Sequence, residues 1–218
     1  MRILDTYFPI VVTITVFSAL LIGFALADHH VVSDMVGLDE NILLWANNNH
    51  NQFLTILMSK LGNLHFLIPF YGFLVLTTLC YNKVKFMPVF IFICLYVLVC
   101  DGLISLINLL FEHLRPLYLP TLADSMQIEA GGKGNQFGCL PISSSAAGIA
   151  YFSCLYFRKH YWPFKAMVVV WAVFTLYANL YHGWNYPHEI FIAAAICLLI
   201  AHFTFKSYLY YLRKGKLT

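Results

Sequence analysis

Charged side chains are scarce in this sequence: only 11% of its 218 residues are Asp, Glu, Lys or Arg, whereas 61% are hydrophobic. Soluble domains carry about 25% charged residues, so the composition excludes an ordinary soluble domain and indicates an integral membrane protein. The net charge is only +3, and no basic patch indicates binding to nucleic acid. Internal repeats and low-complexity stretches are also lacking, which predicts a single membrane-embedded domain over residues 1–218.

Cysteine pairs suited to a disulfide framework are lacking too. Only Cys139 is expected in an outer loop, and the other cysteines lie in or beside apolar segments, where they act as small apolar filler: Cys80, Cys94, Cys100, Cys154 and Cys197. The sequence has neither the HExxH nor the CxxC spacing of common zinc sites. We therefore predict no metal and no cofactor.

Long apolar segments dominate what is present. A bilayer core of roughly 30 Å takes about 20 residues of helix and offers no water to unpaired backbone groups. Six spans are predicted, the first read as retained and not as a cleaved signal, and the fourth starting at the residue given or a turn earlier: residues 7–27, 64–81, 86–111, 146–157, 164–181 and 187–205. The fold class is therefore an all-α bundle of six transmembrane helices.

Residues 40–62, which precede the second span, alternate apolar and polar side chains at helical spacing. This pattern is typical of a helix that lies in the membrane interface and does not cross the bilayer. We therefore predict one peripheral amphipathic helix there.

Lysine and arginine set the expected orientation, because cytoplasmic loops are enriched in both. With a cytoplasmic N-terminus, three of the 13 basic residues fall outside, namely Lys60, Arg115 and Lys133. The other ten fall inside: Arg2, Lys83, Lys85, Arg158, Lys159, Lys165, Lys206, Arg213, Lys214 and Lys216. Both termini are therefore predicted to be cytoplasmic.

Three polar stretches lie at the ends of spans that this topology brings to the outer face. They are "NLLFEHLRP" at residues 108–116, "ISSSA" at residues 142–146 and "ANLYHGWNYPHE" at residues 178–189. Because they are remote in sequence but share one membrane face, we expect them to form one site.

These stretches, in this order, resemble the signature of the type 2 phosphatidic acid phosphatase and haloperoxidase superfamily: K-x6-R-P, then P-S-G-H or S-S-H, then S-R-x5-H-x3-D. The glycine-rich residues 131–138 and "YHGWNYP" at residues 181–187 are also similar to bacterial members. The resemblance implies a membrane phosphatase that acts on a phosphorylated lipid at the outer leaflet of the bacterial inner membrane.

In this superfamily a third-motif histidine attacks phosphorus, oriented by an aspartate, and a second-motif histidine protonates the leaving oxygen. The matching catalytic positions here are Asn185, Glu189 and Ser145, or Ser144 if the second motif is aligned on Pro141. The family's lysine and two arginines hold the phosphate. The matching substrate-binding positions are Asn108, Arg115, Asn179, Ser143 and Ser144.

An asparagine amide cannot act as the nucleophile, and a serine hydroxyl has no useful pKa near 7. The resemblance therefore implies a family member whose activity is lost or much reduced. Two alternatives stay open: a noncatalytic protein that binds phospholipid head groups, and a scaffold with a vestigial pocket. Rescue of catalysis by a neighbouring histidine, or zinc binding by His182, His188 and Glu189, is the weaker interpretation; the candidate histidines are His113, His182 and His188.

Several of these residues also have structural interpretations. Arg115 suits either phosphate binding or contact with lipid head groups at the interface. The serines suit either anion binding at a helix N-terminus or helix capping, and Glu189 suits the first turn of the sixth span. Asp101 lies within the third span, where a carboxyl group is costly and is functional or faces the bundle interior.

Overall fold

A computed structural model describes residues 29–61, 64–81, 86–110, 115–119, 122, 125–126 and 140–214, with side chains described from residue 37 onward except at 64–69, 142 and 159. The chain groups into two compact units, Met1–Asn41 and Ile42–Thr218. The single domain expected from the sequence stays a prediction. The predicted first span at residues 7–27 lies outside the described residues.

The described residues form helices and turns, and no strand occurs among them. The α-helices are α1 His29–Asn48, α2 Gln52–Leu61, α3 Leu64–Tyr81, α4 Phe86–Leu110, α5 Ser145–Tyr156, α6 Trp162–Tyr181 and α7 Pro187–Lys214. Three short 3-10 turns join them, at Pro116–Tyr118, Ile142–Ser144 and Lys159–Tyr161.

Three of the described helices, α4, α6 and α7, are long and apolar enough to cross a membrane. Shorter apolar helices occur at Phe70–Tyr81 and Ser145–Tyr156. The bounds of α3 to α7 agree closely with the predicted spans, although α7 continues beyond the predicted end to Lys214. These helices and their composition are those of a helical membrane protein.

The continuous helix predicted over residues 40–62 is wrong, whereas its location in the membrane interface stays a prediction. The chain leaves helical conformation after Asn48, and α2 starts afresh at Gln52. Asn51 causes the break, because its side-chain oxygen accepts a hydrogen bond of 2.7 Å from the backbone N–H of Leu54, as an N-cap residue does. Met58 of α2 is fully buried, so this face of α2 packs against the rest of the larger unit.

The core of the larger unit surrounds α5, which packs against α6 and α7, while α4 packs against α7. Gly148 allows α5 to pack closely against α4 and α7, since a Cβ atom there would clash with the hydroxyl of Tyr96 and would lie 2.7 Å from the backbone oxygen of Cys197. Tyr96 uses that space to donate a hydrogen bond of 2.9 Å to the backbone oxygen of Ser145. The close approach fixes the start of α5 against α4.

Candidate functional site

Asn108 joins the end of α4 to the segment that leads into the serine-rich stretch. Its side-chain N–H donates to the backbone oxygen of Leu140 at 2.9 Å, and its side-chain oxygen accepts from the Leu140 N–H at 2.7 Å. The amide therefore satisfies the hydrogen bonds of both the backbone N–H and the backbone oxygen of Leu140, as another peptide unit would. The resemblance predicts a phosphate-binding lysine at this position, whereas the amide of Asn108 bonds to the backbone of Leu140.

Asn179 joins the third polar stretch to the second. Its side-chain N–H group donates to the hydroxyl of Ser143 at 2.8 Å and to the backbone oxygen of Thr175 at 2.9 Å. The residue is buried, so these bonds satisfy donors that water cannot reach. The resemblance predicts an arginine at this position, whereas the amide of Asn179, like that of Asn108, donates hydrogen bonds to the protein itself.

Gly183 joins the third polar stretch to the first. Its backbone oxygen accepts a hydrogen bond of 3.1 Å from the N–H of Leu117, which lies two residues after Arg115. The glycine has φ +66, in the left-handed region that residues with a Cβ avoid. The structure therefore brings all three polar stretches together, as their shared membrane face led us to expect.

The 3-10 turn Ile142–Ser144 lies between them and contacts α4, α6 and α7. Ser144 occupies the N-cap position of α5 but makes no side-chain capping bond, so the capping interpretation is wrong for this residue. Its hydroxyl is completely buried and has no hydrogen-bond partner among the described residues. A buried hydroxyl without a partner is a candidate contact for a ligand.

Asn185 and Glu189 form a buried pair at the start of α7. The amide of Asn185 donates to Oε2 of Glu189 at 2.9 Å, and the same oxygen accepts the backbone N–H of Tyr186 at 3.0 Å. Glu189 therefore acts as a carboxylate in the first helical turn, where the helix dipole favours it. The pair has the spacing that the resemblance predicts for a nucleophile and its orienting acid, but its nitrogen is an amide.

Arg115 is half-buried beside the turn that starts at Pro116, and its Nε atom is buried without a hydrogen-bond partner in the described part of the chain. Burial lowers the pKa of the guanidinium, and the nearby Tyr118 and Glu189 oppose that shift. The group stays protonated at neutral pH. A buried guanidinium donor is costly unless something accepts from it, which fits the phosphate-binding interpretation better than the interfacial one.

His182 turns away from this pair. Its ring is buried, stacks on Trp184 with ring centroids 4.9 Å apart and lies near the backbone oxygen of Met58 in α2. Burial lowers its pKa, which the Met58 oxygen partly opposes. His182 is therefore packed between aromatic rings and α2.

His188 is exposed and stacks on Tyr186, whereas Glu189 is buried. The described residues contain no group of three His, Cys, Asp or Glu side chains placed to hold a metal ion. His113 lies outside the described residues.

Two relationships near the site could not be read from the sequence. Asp101 accepts a hydrogen bond from the side chain of Ser145, which identifies its polar neighbour. Tyr181, at the end of α6, also forms hydrogen bonds with α1 and α2. Asn47 of α1 donates to its backbone oxygen at 3.0 Å, and Thr55 of α2 shares a hydrogen bond of 2.8 Å with its hydroxyl. These pairs are too far apart in sequence for any spacing rule to find them.

The fold and site together define a class: a helical membrane protein with a buried polar cluster built from the ends of α4 and α6 and the starts of α5 and α7. A comparison with models of known families gives no match. Among curated proteins, the lipid A 4'-phosphatase of Porphyromonas gingivalis is 28% identical over 120 residues, which are 53% of this chain and 49% of that protein. The match thus spans about half the length of that relative.

Two solved structures share the fold. One is LpxE of Aquifex aeolicus, with a TM-score of 0.55, 20% identity and coverage of 76% of this chain and 93% of that one. The other is the PAP2-type phosphatidylglycerolphosphate phosphatase of Bacillus subtilis, with a TM-score of 0.58, 20% identity and coverage of 88% and 92%. The chain therefore has the fold of the PAP2-type membrane lipid phosphatases, and the resemblance predicted from its three motifs is confirmed.

Proposed function

We propose that this protein binds the phosphate of a membrane lipid and does not hydrolyse it. The observation that carries the proposal is the pair formed by Asn185 and Glu189, in which an amide is hydrogen-bonded at 2.9 Å where the superfamily has its nucleophile. The lone pair of an amide nitrogen is delocalised, so it cannot attack phosphorus.

The loss extends to the groups that would stabilise the transition state. Asn108 and Asn179 are neutral, and their amides bond to Leu140 and to Ser143 and Thr175. Removal of one positioned donor typically costs about 10² to 10³ in rate, and removal of a general acid about 10² to 10⁴. These losses and the missing nucleophile together favour a site without turnover.

Binding of a phosphate requires fewer positioned groups than its hydrolysis. Arg115 supplies a charged donor that can bond phosphate oxygens, and the hydroxyl of Ser144 lies buried without a partner among the described residues. The names of the relatives, a lipid A 4'-phosphatase and a phosphatidylglycerolphosphate phosphatase, support a lipid phosphate or diphosphate as the ligand.

The membrane arrangement is part of the proposal. Six spans with both termini in the cytoplasm place the polar cluster at the outer face of a bacterial inner membrane, and the distribution of lysine and arginine supports this orientation. The test treats variants that carry a single introduced cysteine with a membrane-impermeant thiol reagent. Each cysteine is placed at an exposed position near one end or the other of the membrane helices. Labelling of Asn49→Cys from the cytoplasmic side would contradict the orientation.

Function is tested with the purified full chain and a short-chain phosphatidic acid. We expect saturable binding without release of inorganic phosphate, and a loss of affinity of about 10- to 100-fold in Arg115→Ala, as for a charge-assisted hydrogen bond. Raised salt should weaken binding by the wild type, because it screens the guanidinium.

The matched control is Arg158→Ala, which removes an arginine at an exposed position between α5 and α6 and should leave the affinity unchanged. Phosphate release above that of heat-treated protein would contradict the loss of chemistry. Absence of binding by the folded wild-type protein would remove the proposal and favour a scaffold.

A further inference from the structure

A cavity of about 550 Å³ lies between α3, α4 and α5, a volume within the range of ligand-binding sites. Its wall is mainly aliphatic and aromatic, and it reaches from Phe86 and Phe157 at one end of these helices to Asp101 and Ser145 near the other. Among the described residues that line it, none is lysine or arginine. Such a cavity suits a hydrocarbon chain better than a polar ligand.

Asp101 is the one carboxyl group among the described residues of that wall. One of its oxygens accepts from the side chain of Ser145, while Oδ1 is buried without a hydrogen-bond partner in the described part of the chain. A buried acceptor without a donor costs about 1–3 kcal/mol, and carboxyl groups inside membrane helices usually mark functional positions. The cavity therefore offers an unused acceptor to whatever fills it.

Ser145 belongs both to the cavity wall and to the serine-rich stretch at residues 142–146. It follows Ser144 directly at the start of α5, and its own side chain contacts Asp101 in the cavity wall. A lipid whose phosphate contacts Arg115 and Ser144 would thus extend its chain past Ser145 and Asp101. The first atoms of that chain would lie beside Oδ1.

The position of Asp101 within α4 bears on which kind of hydrogen-bond donor suits its carboxyl group. It lies nine residues before the end of α4 at Leu110, or about 14 Å along the helix axis at 1.5 Å per residue. A hydroxyl group donates a hydrogen bond without adding net charge to this apolar part of the bundle, and its desolvation is repaid by that one hydrogen bond. A plain hydrocarbon chain would leave the carboxyl oxygen without a donor.

We propose that the protein selects lipids whose chain carries a hydroxyl group near the head-group end, and that this hydroxyl donates to Oδ1 of Asp101 while the rest of the chain fills the cavity between α3, α4 and α5. The inference rests on the proposed binding of a lipid phosphate. It adds a specificity-determining residue that lies outside the three motifs.

The test compares two short-chain phosphatidic acids that differ only in a hydroxyl group on the third carbon of each acyl chain. Wild-type protein should bind the hydroxylated lipid about fivefold or more tightly, as expected for one added hydrogen bond. Asp101→Leu should bind both lipids equally, and Asp101→Asn, which keeps an oxygen acceptor, should retain part of the preference. Ser105→Leu, at an exposed position of the same helix, is the control and should behave as wild type.

The outcomes separate the two proposals. Equal binding of both lipids by the wild type would overturn the selection by hydroxyl and leave lipid-phosphate binding intact. A preference that persists in Asp101→Leu would also overturn it, since another group would then accept the hydroxyl. Tighter binding of a matching lipid with an amine on the same carbon would show that the wrong donor was assigned. Failure to bind either lipid would remove both proposals.

Discussion

The side-chain amide of Asn185 donates a hydrogen bond of 2.9 Å to the carboxylate of Glu189, and both residues are buried. The geometry resembles that of a catalytic dyad, because a nitrogen donor is held by a carboxylate one helical turn further along. The chemistry differs, since an imidazole held in this way has a second nitrogen with a lone pair and an amide does not. The pair thus has the hydrogen-bonding geometry of such a dyad, with an amide nitrogen at the position where the resemblance predicts the nucleophile.

Restoring all the family residues together tests whether that framework is intact. The variant carries Asn108→Lys, Ser145→His, Asn179→Arg, Asn185→His and Glu189→Asp, and we expect phosphate release from phosphatidic acid that the wild type lacks. Asn185→His alone should stay inactive, because the cations and the general acid are still missing. No release by the folded five-residue variant would mean that other parts of the site have also changed.

Asn108→Ala should destabilise the fold. It removes both hydrogen bonds to the backbone of Leu140, at a cost of about 1–3 kcal/mol for each backbone group left buried without a partner. Thermal unfolding in detergent measures the loss. Asn49→Ala, which removes a hydrogen bond of 2.9 Å to the Trp45 oxygen at an exposed helix end, is the control and should change the midpoint little.

Gly183→Ala should weaken phosphate binding as well as stability. The left-handed backbone costs a residue with a Cβ roughly 1–2 kcal/mol, and this Cβ would lie 2.7 Å from the sulfur of Met126. Relief of that contact would pull the backbone away from Leu117 and so displace Arg115. Gly102→Ala, in α4 with nothing within 4 Å of the new atom, should leave binding unchanged; a normal affinity in Gly183→Ala would show that the turn tolerates the shift.

Burial of His182 predicts a pH dependence of stability. Its pKa is lowered in the folded protein, whereas an unfolded histidine titrates near 6.5. Below that pH the unfolded chain binds a proton that the folded chain resists, so stability should fall as the pH falls. In His182→Phe, which keeps a ring against Trp184, the unfolding midpoint should change less between about pH 7 and pH 5, and an unaltered slope would assign the effect to another group.

Hydropathy was enough to predict most of the described fold, because a helix in a bilayer must satisfy its own backbone and so leaves a long apolar run in the sequence. The bounds of α4 and α6 illustrate this. The break at Asn51 was missed because local capping competed with an uninterrupted helical pattern. Hydrophobic periodicity alone does not distinguish a capping asparagine from any other polar residue.

The candidate site was only partly predictable. The motif positions located Asn108, Asn179 and Asn185, but their partners depend on contacts between distant segments, as between Asn108 and Leu140. Sequence identified Asp101 as unusual without naming Ser145 as its neighbour. Residue identity thus showed that Asn108 and Asn179 are neutral. The tertiary structure was needed to show which groups their amides bond.

The bonds of Asn108 have a consequence for the order in which the site can be changed. A lysine there has no acceptor and cannot reproduce the two-way pairing with Leu140, so Asn108→Lys by itself gives up stability and gains no turnover. The benefit arrives only after a nucleophile and an acid are also in place. We therefore expect Asn108→Lys to raise activity only when it is combined with the changes at positions 185 and 145.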